Sequence, residues 1–348
     1  MRLISSRAWL WPMALVAGQL TSCGGCGGGG GGGGDSSSDS TPAAELSWVK
    51  DADNPVVVAD PTSTWANGSA ESPHVLKIGD VYLLWFVAAD SAGTWRIGLA
   101  QSLDGVEWGR HPSPVLSPGL RDSWDDLFVT DPWVIFDGLK YWMWYRGGST
   151  KGTFAIGLAT SDDGATWSKF SGNPVLQAGS GGSGAMLVMT AGPPAPSAGN
   201  VFSPAVLRTD SGFAMWYNEG NDGIHHATSA DGATWVKTKS DSVFGPGEGD
   251  SGTPTDCTVL QDGNVLRMWY ASLDSEGIRR IGTAESSDGI TWTRSGENPV
   301  LAPGDPGSWD DGGVGEPSVI KDGDGFRMWF TGERSTGGSW AIGHARYQ

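Results

Sequence analysis

The chain has 348 residues and a formal net charge of -17, with 39 Asp and Glu against 22 Lys and Arg. A surface that tracks phosphates needs the opposite balance, which argues against nucleic acid as a partner. Three cysteines, two of them at Cys23 and Cys26, leave no disulfide within a folded domain. The Cys-X-X-Cys they form has no following helix and no second ligand pair, so it is neither a redox nor a zinc motif. No cofactor and no metal ion are expected.

Residues 1-22 carry Arg2 and Arg7, then an apolar run from Ala8 to Leu20 interrupted by Pro12, then Leu20-Thr21-Ser22-Cys23. The run is too short to span a bilayer. It resembles a bacterial lipoprotein signal, which makes Cys23 the expected lipidation site; a plain secretory signal is the alternative. Residues 23-45 continue as a tether of glycine, serine and aspartate that lacks the apolar surface to fold. The expected location is the bacterial cell envelope, with the protein lipid-anchored on the extracytoplasmic side.

Residues 46-348 hold a unit of about sixty residues, written five times. An inner segment ends at Trp85, Trp144, Trp216, Trp269 or Trp329. Ile-X-X-Ala follows, starting at Ile97, Ile156, Ile224, Ile281 and Ile342, and in four copies Asp-Gly-X-X-Trp comes next. Each copy offers four short strands, as in Asp131 to Ile135, Tyr141 to Tyr145, Ile156 to Ala159 and a strand near Trp167. Alternation, aromatic content and Asp-Gly breaks such as Asp137-Gly138 and Asp163-Gly164 favour antiparallel hairpins. The expectation is an all-β, five-bladed β-propeller of four-stranded antiparallel blades, which hides both faces of every sheet against its neighbours.

The fifth copy stops at Gln348 without an outer strand. Trp48 is followed by Pro55-Val56-Val57 as Trp167 is by Pro174-Val175-Leu176, so residues 47-58 should complete blade five and close the ring. The connection at 177-200 is the longest. The five inner tryptophans, with Trp48, Trp108, Trp167, Trp235 and Trp292, read as packing between blades. A closed ring needs no partner, so a monomer is assumed.

Thirteen residues before each inner tryptophan stand Ser72, Asp131, Ser203, Asp256 and Glu316, each followed by Pro except at Cys257. Strand starts converge on the axis, so three carboxylates meet there, and Glu71 offers a fourth. Like charges in a small cavity raise at least one pKa, as glycosidic cleavage by an acid and a base requires. Binding of a cation or ligand and a purely structural rim are the alternatives. Glu219 supplies a candidate acid in blade three, where the repeat position is Ser203. Trp133 and Trp124 are candidate sugar platforms, Arg146 a clamp for hydroxyls or a carboxylate, and His74 and Ser203 further substrate contacts. His225 and His226 read as packing groups. Asp125-Asp126 and Asp310-Asp311, being duplicated, read as loop caps.

Thr130-Asp131-Pro132-Trp133-Val134-Ile135, the Met-Trp-Tyr and Met-Trp-Phe strands, the Ile-Gly-X-Ala strands and the Asn-Pro-Val-Leu exits at 173-176 and 298-301 resemble the five-bladed glycoside hydrolases. These include the arabinanases, xylosidases and arabinofuranosidases of family 43, and the invertases and levansucrases of families 32 and 68. The resemblance implies an Asp base in blade one, an orienting Asp in blade two and a Glu acid in blade three. Asp131 matches the second of these directly. Blade one offers Glu71 beside Ser72, and blade three offers Ser203. The implied activity is hydrolysis of arabinan, xylan or fructan. The converging strand starts, rather than the resemblance, suggest Asp131 orienting, Glu71 or Asp256 as base and Glu316 or Glu219 as acid, although the family does not place its main pair in the blades of Asp256 and Glu316. The alternative is a noncatalytic, lipid-anchored glycan-binding propeller.

Overall fold

The computed structural model describes residues 47-178, 199-248 and 250-348. The expected signal, Cys23 and the tether lie outside the described residues, as does most of the 177-200 connection.

A short strand, β1 (Trp48–Lys50), opens the chain. Blade one is β2 (Ser69–Ile78), β3 (Val81–Ala89), β4 (Trp95–Ser102) and β5 (Gly109–Arg110). Blade two is β6 (Phe128–Phe136), β7 (Tyr141–Gly148), β8 (Phe154–Ser161) and β9 (Ser168–Lys169). Blade three is β10 (Val201–Thr209), β11 (Gly212–Glu219), β12 (Ile224–Ser229) and β13 (Val236–Lys237). Blade four is β14 (Thr255–Asp262), β15 (Val265–Leu273), β16 (Arg279–Ser286) and β17 (Thr293–Arg294). Blade five is β18 (Gly313–Asp322), β19 (Gly325–Glu333) and β20 (Trp340–Tyr347), completed by β1.

All neighbours within a blade are antiparallel, and one parallel bridge, Arg279 to Gly313, joins blades four and five. The inner strands β2, β6, β10, β14 and β18 pack side by side, with β18 also against β2, in a propeller-like arrangement. As expected, the chain ends pair: Trp48 with Tyr347, Val49 with Arg346 and Lys50 with Ala345. Val57 then bridges Ile342, as Leu116 bridges Ile97 and Leu176 bridges Ile156.

The repeated motifs have local physical causes. In the Asp-Gly turn of blade two, Asp163 accepts the backbone N–H groups of Ala165 and Thr166, while the Ser161 hydroxyl accepts that of Gly164. Gly164 sits at φ 76°, which glycine adopts at little cost. Its carbonyl receives the indole N–H of Trp85 from blade one at 2.9 Å. The same latch joins Trp144 to Gly232, Trp216 to Gly289 and Trp329 to Gly105. Each turn thereby fastens its blade to the preceding one. In the exits, Asn173 clamps the backbone N–H and carbonyl of Leu158, as Asn298 clamps those of Thr283.

The core lies between blades. Trp85, Trp144, Trp216 and Trp329 are almost wholly buried. Trp124 and Trp309 play matching parts: the first lies over Gly147 and Gly157, the second over Gly332 and Gly343, where any side chain at the glycine would collide with the indole.

Candidate active site

In every inner strand the pairing register slips by one residue, two residues standing opposite one of the partner strand: between Glu71 and His74, Thr130 and Trp133, Phe202 and Ala205, Thr255 and Thr258, and Gly315 and Ser318. Four of the five slips contain a proline, which has no N–H to give the ladder and is tolerated at bulges. The first residue of each slip is Ser72, Asp131, Ser203, Asp256 or Glu316, all with φ between 48° and 52°. A left-handed backbone costs a residue with a side chain ~1–2 kcal/mol. Here the bend turns five side chains toward the axis. With the prolines, Cys257 and Trp133, they line an axial cavity of about 40 Å³. That space suits a water or two rather than a sugar ring, so a glycan would meet the carboxylates from the solvent side, where each keeps about 15% of its exposure.

The carboxylates are wired to one another. Ser203 donates its backbone N–H and its hydroxyl to Asp131 Oδ2, both at 3.2 Å, and the hydroxyl also lies within reach of Asp256 Oδ1. Glu316 Oε2 accepts the Ser72 N–H at 2.9 Å, the Ser72 hydroxyl at 3.1 Å and the Thr331 hydroxyl at 2.6 Å. Arg279 spans the pair: one nitrogen donates to Asp256 Oδ2 and the other stands 3.8 Å from Glu316 Oε1. Asp256 also accepts the Thr255 hydroxyl at 2.7 Å.

Electrostatics follow from this wiring. Burial raises the pKa of Glu316 above the usual carboxylate range, against the opposing pull of Arg279. Asp131 is also raised, by burial first and by Asp256 among its neighbours, with Arg146 opposing. Glu71 is raised well above its ordinary value, by burial and then by Glu316. It is 1% exposed, takes the Ser69 hydroxyl at 2.9 Å on Oε1, and has no hydrogen-bond partner on Oε2. A proton on that oxygen is the state such burial favours.

The remaining candidates divide: Arg146 and Trp133 border the axial cluster, whereas Glu219, His74 and Trp124 do not line the axial cavity. Glu219 is held by Lys237 at 2.6 Å, at the outer strand of blade three. Trp133 is 8% exposed, gives its indole N–H to Val206 at 2.7 Å and packs on His74 with ring centres 4.5 Å apart. His74 is bonded to the Val134 carbonyl at 2.8 Å, and burial lowers its pKa to about 4. Trp124 rests on Tyr145 at 5.6 Å. Trp133 is thus set in the packing between blades, with little face left for a sugar, whereas Trp124 is half-buried against Tyr145 and over Gly147 and Gly157. Arg146 is buried, 3.9 Å from Asp131 Oδ2, with its guanidinium over Phe154, Phe128 and Phe202. Asp126 and Asp311 accept loop N–H groups, as caps do. Among the described residues, no group of three or more His, Cys, Asp or Glu is arranged to hold a metal ion.

Arg279, Thr331 and Asn218, which accepts the Asp256 N–H at 3.2 Å, are absent from the sequence expectations. A signal exists for two of them. The position two after each inner tryptophan reads Val87, Arg146, Asn218, Ala271 and Thr331, and its three polar members all reach the axial cluster. Arg279 has no such repeat.

A sequence model of glycoside hydrolase family 130, described as β-1,4-mannooligosaccharide phosphorylase, matches residues 78–178. A glycosyl hydrolase from Bacteroides ovatus superimposes with a TM-score of 0.68 at 17% identity, covering 87% of this chain and 94% of its own. The fold is that of the propeller-like glycoside hydrolases. A structure reported for the family of mannoside phosphorylases that contains glycoside hydrolases targeting beta-1,2 mannosidic linkages in Candida mannan gives 0.66 at 18% identity, over 88% of this chain and 95% of that one. A thermostable family-43 glycoside hydrolase gives 0.58 at 18% identity, over 81% and 92%. An uncharacterized protein of Mycobacterium tuberculosis is 26% identical over 299 residues, 80% of this chain and 87% of the relative. The resemblance drawn from the sequence names families 43, 32 and 68, whereas the matching family model is that of family 130. Family match and fold together support an enzymatic, glycosidase-type function.

Proposed function

We propose that the chain is a closed five-bladed propeller that cleaves glycosidic bonds at the axial carboxylates, by hydrolysis. The observation that carries this reading is Arg279, whose single guanidinium holds Asp256 of blade four and Glu316 of blade five. Glu316, with its raised pKa and residual exposure, gives its proton to the glycosidic oxygen. Asp256, which accepts the Thr255 hydroxyl and an Arg279 nitrogen, takes a proton from the attacking water or attacks the anomeric carbon itself. Asp131 orients Ser203 between itself and Asp256. Glu71 is out of solvent's reach and acts as a positioning residue through the charge of Glu316.

A second reading, phosphorolysis, is favoured by the family match over residues 78–178. Arg279 argues for hydrolysis instead, since both ends of its guanidinium already face carboxylates. The substrates to try first are β-mannosides, followed by arabinan, xylan and fructan. Purified protein is incubated with each, with and without inorganic phosphate. Release of reducing sugar that is abolished in Asp256→Asn and Glu316→Gln supports the hydrolytic site; sugar 1-phosphate formed only with phosphate supports phosphorolysis. Turnover that survives both substitutions sinks the site, and glycan retention without turnover leaves a binding protein.

The Arg2 to Cys23 pattern supports an extracytoplasmic, lipid-anchored protein. Cys23→Ser is expected to release the protein from the membrane fraction of a bacterial host; unchanged fractionation overturns the anchor.

A further inference from the structure

The Asp-Gly turns of blades one to four each cover the inner tryptophan of the preceding blade. Among the described residues blade five has no such turn, because its outer strand β1 begins at Trp48. Trp269 of blade four keeps the edge-on contact with its outer tryptophan, Trp48 at 6.3 Å, and the contact with Phe326 at 5.2 Å, as Trp85 keeps those with Trp167 and Tyr141. A second departure coincides with the first. The residue paired with the inner tryptophan on the third strand is Leu99, Leu158, His226 or His344 in the other blades, but Thr283 in blade four.

Together these departures open a cavity of about 330 Å³ at the seam of blades four and five, within the usual range of small-ligand pockets at ~300–1,000 Å³. Trp48, Trp269, Phe326 and Tyr347 wall it, and Glu285, Glu297 and Thr293 stand at its edge. Trp48, Phe326 and Tyr347 are half-buried, so they keep surface for a ligand. Arg267 lies between Asp262 at 3.1 Å and Glu285 at 3.2 Å, so the charge at the mouth is compensated and selects neither anion nor cation.

We propose that this seam cavity is a second carbohydrate site, taking one neutral sugar ring of a glycan separately from the axial carboxylates. Aromatic walls receive the C–H faces of a sugar, and the polar edge receives its hydroxyls. The choice of a sugar rests on the carbohydrate reading above; the cavity itself does not.

The test uses the full chain carrying Asp256→Asn and Glu316→Gln, so that bound glycan is not consumed. Affinity electrophoresis through yeast mannan, galactomannan, linear arabinan, arabinoxylan and levan is compared with and without Thr283→Leu, which restores the side chain of blades one and two. Retention by at least one glycan is expected, with an affinity drop of about tenfold on Thr283→Leu. Glu297→Ala, at the rim, should lower retention in the same direction and guards against misfolding of the first variant. Parent protein retained by no glycan, or retained equally by all variants, overturns the proposal. Wild-type turnover of aryl glycosides is measured separately. Turnover with unchanged retention in Thr283→Leu defeats the seam site alone, whereas retention lost in Thr283→Leu without any turnover defeats the catalytic reading alone.

Discussion

The indole N–H of Trp144 donates to the carbonyl of Gly232 at 2.9 Å, across 88 positions of sequence, and ties blade two to blade three. Gly232 has φ 74°, and a Cβ there would stand 3.0 Å from Trp144. Gly232→Ala should destabilise the protein by about 2 kcal/mol or more, combining backbone strain with displacement of the indole. Gly138→Ala, at φ 97° in open space, should lose about 1 kcal/mol from the backbone alone. Denaturant titration of both variants checks the order; equal losses refute the latch.

Ser203 joins Asp131 to Asp256. Removing a hydroxyl bonded to charged groups costs ~1.5–3 kcal/mol, so Ser203→Ala should lower kcat by about tenfold to a hundredfold. Glu219→Gln should leave kcat within about twofold, since it loses a peripheral pair with Lys237 of a kind worth ~0–1 kcal/mol. Steady-state kinetics on one substrate decides, and the opposite ranking would return Glu219 to the site.

Arg279 pulls the Glu316 pKa down against burial. Arg279→Met removes that pull, so Glu316 holds its proton to higher pH. The alkaline limb of the kcat/KM profile should move upward, with kcat down about tenfold or more from lost positioning. An unmoved limb would mean that Glu316 is not the proton donor.

Glu71 has a folded-state pKa well above its ordinary value. Below about pH 4.3 both folded and unfolded chains hold the proton, and above it the unfolded chain alone releases it. Stability therefore falls as pH rises toward the folded pKa. Glu71→Gln should remove this loss and stabilise the protein at pH 7, with no gain near pH 4. Urea midpoints at both pH values measure it.

Burial lowers the pKa of His226 to about 4. For a histidine so depressed, the contribution is complete above about pH 6.5 and is lost as pH falls toward 4. His226→Leu, which copies Leu99 and Leu158 at the same register position, should flatten this acid-side loss. A steeper loss of stability in the variant between pH 6.5 and 4 would contradict the assignment.

The strand pattern was legible because each copy repeats the same packing problem: Trp85 and its equivalents must be buried, and the Asp-Gly turns that bury them recur in step. The acid positions were legible for the same reason, being fixed at thirteen residues before those tryptophans. Arg279 was not, since it reaches Glu316 from a different blade and from a position that is Trp95, Phe154, Asp222 or Trp340 in the other copies. Trp133 read as a platform because a sequence does not tell an exposed indole face from one pressed on His74. Glu219 carried a signal that would have assigned it. Two residues after each outer tryptophan stand Lys50, Arg110, Lys169, Lys237 and Arg294. Lys50 and Lys169 hold Asp310 and Asp125 as Lys237 holds Glu219.

Ser72 and Ser203 take the same left-handed bend as Asp131, Asp256 and Glu316, although neither carries a charge. The bend therefore belongs to the bulge, and the carboxylate is an accessory to it. Five equivalent mounts face one axis, so replacing a single side chain adds or removes an acid at one blade without moving the main chain. On such a turret a serine and a carboxylate are interchangeable occupants while the architecture stays fixed.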